Sequence, residues 1–243
     1  MQKCVTGALL MLVAGCAAHG PPMLDTGTPS IAVARTALAD GAPDVAVNVS
    51  TDILRNRPTD QEALLVQGDA LAQLGRTHEA EASFRQVLAR DPSSATANRG
   101  LGRLLLASDP AAAEALFRQM LDRDVHDVAA LNDLGIACDL QGHHADAQTT
   151  YRQALAAAPD SPAATANLAL SLSLTGHAAE GIQMLRPLAG AAGAAPRLRY
   201  DLAAVETMAG ERQEAALLLK DDLQSDKLQN ALDGFAALSP ASP

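Results

Sequence analysis

Few side chains in this sequence have the type and spacing for chemistry. His78, His143, His144 and His177, four of the six histidines, fall in or beside short polar turns. Three of them are followed three residues later by an acid: His78 by Glu81, His143 by Asp146 and His177 by Glu180. Imidazole and carboxylate at that interval can ligate a divalent cation. An acid in the same place also complements the dipole of a helix starting there, and no H-x-x-x-H pair or cysteine cluster joins the set. The histidines therefore read as exposed turn residues, and no metal is expected. Cys138 is a solitary thiol; a catalytic nucleophile is one reading, and a small buried apolar residue on a helix is the favoured one. No G-x-S-x-G, H-E-x-x-H, P-loop or dinucleotide fingerprint occurs, and Gly100-Leu101-Gly102 sits in a helical pattern without a preceding strand. The expectation is a protein that is not an enzyme, with no catalytic residues and no cofactor. Arg99 and Arg103 are different. Four residues apart on a helix they point the same way and are able to clamp a carboxylate or a peptide terminus together. The competing reading pairs them with Asp69 or Asp139 on adjacent helices.

The elements that must position these residues are helices. Ala and Leu dominate the 243 residues, aromatics are 2% and Trp is absent, a composition suited to closely packed helices. The chain repeats itself every 34 residues. In 61–94 the pattern is Leu64, Gly68, Leu71, Gly75, Ala80, Phe84 and Pro92; in 128–161 it returns as Leu131, Leu134-Gly135, Cys138, Gly142, Ala147, Tyr151, Ala154 and Pro159. These offsets resemble the tetratricopeptide repeat, a helix-turn-helix unit. Gly in the first helix and Ala in the second let the pair approach closely, and the large residue four positions after that Ala plugs the gap to the next unit. Pro ends the second helix. Gly75 and Gly142 fall in the turn between paired helices, where a left-handed conformation costs Gly little. The phase extends to Val33-Ala34, Gly41, Ala46, Ile53 and Pro58 upstream, and downstream to Leu168-Ala169, Gly176, Gly181 and Leu185, then Leu202-Ala203, Gly210, Ala215 and Leu219. The predicted fold is all-α, a superhelix of about six repeats near 27–60, 61–94, 95–127, 128–161, 162–195 and 196–224. The third is one residue short: Gly102 to Phe117 is 15 steps where Gly68 to Phe84 is 16. The loss is expected in its turn, where Ser108-Asp109-Pro110 supplies an N-cap and a Pro at the first helical position.

The two ends of the chain are unlike the array. Leu228, Leu232, Phe235 and Leu238 fall at helical spacing, with Ser225 as a candidate N-cap and Pro240 as a stop. A capping helix over 225–238, covering the open end of the array, is favoured over a partner-binding tail, with 239–243 a short tail. At the start, Lys3 precedes an apolar run from Val5 to Val13, too short to span a bilayer but long enough for a secretory signal. Small residues then lead into Cys16. This order resembles the bacterial lipobox, which implies a signal over 1–15 and a diacylglycerol on the Cys16 thiol; the alternative is an ordinary signal cut near Ala18. Several acyl chains would hold the chain stably, at ~0.8 kcal/mol per buried CH₂. Residues 16–26 would form the lipidated tether, and its ten residues after Cys16 reach at most ~35 Å.

A superhelix of such repeats has a concave face lined mainly by the first helix of each pair. Polar residues near its groove-facing offsets are Arg35, Glu62, Asp69, Gln73, Arg99, Arg103, Asn132, Asp139, Ser173 and Tyr200. Formal net charge is −10, one more negative once Lys3 leaves with a signal, which argues against nucleic acid and against electrostatic binding to anionic lipid. A protein partner, rather than a small-molecule substrate, is the expected occupant.

The C-terminal half carries a narrower resemblance. Leu131-Asn132-Asp133-Leu134-Gly135-Ile136-Ala137, Asn167-Leu168-Ala169-Leu170-Ser171-Leu172 and Leu185-Arg186-Pro187-Leu188-Ala189 resemble the TadD family, the tetratricopeptide lipoproteins of the tight-adherence (Flp) pilus system. The Pro196-Arg197 step and the closing Asp222-Leu223, Asn230 and Leu238 are similar as well. The resemblance implies a scaffold at the periplasmic side of the outer membrane that helps assemble the pilus secretin. Ala17 after Cys16 is consistent with outer-membrane sorting. Two other readings stay open: a pilotin of the type IV pilus kind, and an adaptor recruiting a periplasmic protease or peptidoglycan hydrolase.

Overall fold

A computed structural model of the chain describes residues 30–239. The signal over 1–15, Cys16, the tether to residue 26 and the last four residues lie outside the described residues. Thirteen helices follow one another: α1 Ile31–Ala39, α2 Pro43–Asn56, α3 Gln61–Gln73, α4 Thr77–Leu88, α5 Ala95–Leu105, α6 Pro110–Leu121, α7 Val128–Leu140, α8 His144–Ala157, α9 Pro162–Leu174, α10 Ala178–Ala189, α11 Pro196–Met208, α12 Arg212–Leu219 and α13 Ser225–Ala236. There is no strand among the described residues. None of these helices is long and apolar enough to cross a membrane.

The two helices of each pair start by different devices. The first helices α1, α3, α5, α7 and α9 are capped by the side chains of Ser30, Asp60, Ser94, Asp127 and Ser161, each accepting a backbone N–H from the first turn. The second helices α2, α4, α8, α10 and α12 have no side-chain cap but follow a glycine with positive φ, such as Gly75 at +72° and Gly142 at +78°. At Gly75 the left-handed residue closes the end of α3: the Arg76 N–H reaches back to the Leu71 carbonyl at 2.9 Å. The short third repeat has no such glycine. There Asp109 accepts the Ala112 N–H at 3.0 Å and Pro110 opens α6, so a polar cap replaces the glycine turn. At the far end the cap position of α13 is Gln224, and Ser225 is already helical with no side-chain cap bond. The expectation of a Ser225 cap is thus corrected by one residue.

Each helix packs on its sequence neighbours, which stacks the pairs into an array. The fully buried rings Phe84, Phe117 and Tyr151 project from α4, α6 and α8 onto Gly68, Gly102 and Gly135 of the helix before. A Cβ at Gly135 would lie 2.3 Å from the Tyr151 ring, and one at Gly102 would lie 2.6 Å from Phe117. The absence of a side chain at these positions sets the helix separation. Phe84 is also met from the next repeat, where a Cβ at Gly100 would fall 2.5 Å from the ring. One ring therefore fills the space inside its own pair and against the following one. Cys138 is buried in the same core; burial pushes its thiol up to about 11, so it is protonated at neutral pH and unsuited to nucleophilic attack. α13 packs on α11 and α12 through Leu228 and Leu232, and Phe235 meets Tyr200 edge-on with ring centroids 6.2 Å apart.

Candidate partner groove

The first helices line one face. α1 packs beside α3, α3 beside α5, α7 beside α9 and α9 beside α11, whereas α5 and α7 make no comparable contact. A cavity of about 850 Å³ opens at that break, walled by Arg99 and Arg103 of α5, Asn132, Asp133 and Ile136 of α7, Ala166 and Asn167 of α9, the 191–195 connection, and Arg197, Leu198 and Asp201 of α11. A second cavity of about 480 Å³ lies on the other side of α5, against Leu38, Asp69, Gln73, Thr96 and again Arg99 and Arg103. The arginine pair forms the partition between them.

No carboxylate among the described residues comes within ion-pair distance of Arg99 or Arg103. The twelve pairs present join other residues. Two acids flank the arginines at longer range. Burial raises the carboxyls of Asp69 on α3 and Asp133 on α7, and the charges of Arg103 and Arg99 hold both down in part. The guanidinium forks are thus biased by neighbouring acids without being consumed by them. Beyond them, the Asn167 amide donates to the Asn132 side-chain oxygen at 2.8 Å, and Arg197 faces Asp201 at 3.7 Å.

Of the residues expected in the groove, Asp69, Gln73, Arg99, Arg103 and Asn132 line these two cavities. Arg35 is on the same side but is engaged by Glu62. Three expectations are corrected. The Asp139 carboxylate is drawn into the packing of α7, α8 and α9, where it meets His144 Nδ1 at 2.8 Å and accepts from Ser171 Oγ at 2.8 Å and the Tyr151 hydroxyl at 3.1 Å. Ser173 is buried and donates to the Ala169 carbonyl at 2.8 Å. Tyr200 faces Phe235 of the capping helix and lines neither cavity. Asp133, Asn167 and Asp201 were missed, yet they carried a signal: they occupy the same repeat position, 34 residues apart, with a polar side chain each time. As for the histidines, His177 Nδ1 lies 3.2 Å from Thr175 Oγ1. Among the described residues no group of three or more His, Cys, Asp or Glu is placed to hold a metal ion.

Comparison with known proteins agrees with this architecture. Tetratricopeptide-repeat models match residues 32–95, 65–109 and 104–170. A tetratricopeptide-repeat protein of Parabacteroides merdae superposes with a TM-score of 0.70 at 16% identity, covering 85% of this chain and 82% of that one. PilW, a type IV pilus biogenesis factor, superposes with a TM-score of 0.68 at 24% identity, over 83% of this chain and 96% of its own. PilF of Pseudomonas aeruginosa gives 0.63 at 16% identity, over 85% and 95%. At these identities the likeness is one of fold. A mouse protein described as FK506-binding protein-like is 32% identical over 100 residues, 41% of this chain, and the chain spans only 28% of that relative's length. Paired helices in glycine–ring contact, a capped array and repeat matches over more than half of the sequence lead to one family: the chain is a tetratricopeptide-repeat protein.

Proposed function

We propose that this protein is a membrane-tethered scaffold that holds a protein partner in the groove of its first helices, and that the complex it serves is the outer-membrane secretin of a tight-adherence (Flp) pilus. The observation that carries the reading is the groove itself: two cavities along α3 to α11 that share an arginine pair with no ion-pair partner. Arrays of this kind present extended binding surfaces rather than enclosed reaction chambers. Support for the envelope setting comes from the sequence, where charge, apolar run, small residues and Cys16 follow in lipobox order. Support for the pilus comes from the TadD-like runs of the C-terminal half, and two proteins of similar fold, PilW and PilF, include a factor of pilus biogenesis. The same observations fit a type IV pilus secretin as the client.

Deletion from the native chromosome tests the reading. Loss of heat-stable secretin multimers and of surface pili is expected, with restoration by the wild-type gene. Normal pili and multimers in the deletion strain remove the pilus role. The lipid is tested separately by mass spectrometry of the mature protein. A diacylated Cys16 at the new terminus is expected, and an unlipidated terminus near His19 removes the tether.

A further inference from the structure

The chemistry of the groove narrows what fits it, and this step rests on the scaffold reading above. We infer that the groove selects a peptide segment carrying one carboxylate beside apolar side chains, with the carboxylate seated on Arg99 and Arg103 at the break between α5 and α7.

Three observations converge on this. First, the arginines are four residues apart on one helix, border both cavities, and have no ion-pair partner among the described residues. Arg99 is half-buried, so a carboxylate reaching it leaves much of its water behind, which strengthens a forked guanidinium contact. Second, the wall beyond the arginines is apolar: Ile136, Ala166 and Leu198 line the larger cavity. The Asn167 side-chain oxygen makes no hydrogen bond among the described residues and is placed to accept one from a peptide N–H. Third, the charge balance limits the ligand. Asp69, Asp133 and Asp201 border the same cavities, and the whole chain carries −10. A polyacidic segment would be repelled by this surface and by the flanking acids. A single localised carboxylate meets the two forks and avoids most of that field.

The test uses the purified full chain and two displayed random dodecapeptide libraries, one with free C-termini and one with blocked C-termini. Enriched peptides are expected to carry one Asp, Glu or terminal carboxylate within about two residues of Leu, Ile, Met or Phe. The strongest is then synthesised as acid and as amide isostere and measured by fluorescence anisotropy. The acid should bind at least tenfold tighter on the wild type. On Arg99→Gln/Arg103→Gln that preference should vanish while residual apolar binding persists; Arg99→Lys/Arg103→Lys should keep part of it. A thermal melt of each variant controls for folding. Enriched peptides without a carboxylate, a preference that survives the Gln variant, or no enrichment overturns the inference. Because these are readouts of ligand chemistry and not of pili, the scaffold reading can stand when this one fails.

Discussion

Repeats two to four and repeats five and six build the same helix pair from different parts. From α3 to α8, glycine stands at the eighth or equivalent position of the first helix, with a ring of the second helix lying on it: Gly68 with Phe84, Gly102 with Phe117, Gly135 with Tyr151. From α9 to α12 the ring is gone. Ala169 and Ala203 take the glycine's place, and Leu185 and Leu219 take the ring's place, all buried. In the fifth repeat the glycine has moved across the interface to Gly181 of α10, where a Cβ would fall 2.7 Å from the Ala169 carbonyl oxygen. The lesson is that volume is conserved across the contact, not residue type: a ring demands no Cβ opposite, and a leucine leaves room for one.

The harshest way to break this comparison is to put a branched side chain where the ring lies. Gly135→Leu should cost ~1–3 kcal/mol or more by overpacking, with damage concentrated in repeats three to five because arrays couple to near neighbours. Hydrogen exchange and a thermal melt read it, and a wild-type melt would contradict the assigned register. The comparison is sharpened by converting one kind of pair into the other. Gly102→Ala and Phe117→Leu should each destabilise, the first by crowding and the second by a cavity. Together they recreate the Ala–Leu pair, and the cycle should show a favourable coupling of ~0.5–3 kcal/mol. Additive losses would mean that the two regions are not interchangeable solutions.

Polar residues inside the two regions give a smaller contrast. Asp139 holds two hydroxyls and a histidine across three helices. Asp139→Ala should cost ~1–3 kcal/mol by leaving those buried partners unmatched. The acids at the shared repeat position, Asp133 and Asp201, should give the smallest effect. Burial raises both above the ordinary 3.8, opposed at Asp133 by Arg103 and Arg99 and at Asp201 by Arg197. A carboxyl raised in the folded state contributes stability that is full below pH 3.8 and lost as pH rises through its folded value. Asp133→Asn and Asp201→Asn should therefore melt roughly 1–3 °C above wild type at pH 7. That advantage should close as pH falls below 3.8, where the wild-type groups are protonated folded or unfolded. A gain that persists at low pH would point to another cause.

The array was legible because its signals are local. Gly75, Gly142 and Gly210 mark turns by conformation, Ser and Asp mark helix starts, and the Gly68-to-Phe84 interval marks a close pair. The one-residue deletion of the third repeat was legible for the same reason, since Asp109-Pro110 writes its own cap. The groove was legible only in part. Position within a repeat placed Asp69, Arg99 and Asn132 correctly, but Asp139 was claimed by the Tyr151 and Ser171 hydroxyls, which come from two other helices. The parting of α5 from α7, which makes the larger cavity, has no counterpart in residue spacing. It depends on how whole helices settle against one another, and it is what leaves Arg99 and Arg103 in an open groove.

The scaffold account is tested most directly at that pair. In cells carrying Arg99→Glu/Arg103→Glu at the native locus and at normal protein level, secretin multimers and surface pili are counted against wild type. The account predicts a folded, envelope-associated protein with multimers and pili reduced at least several-fold, because reversing the groove charges should repel the partner while changing little in the core. Wild-type numbers of both would contradict it.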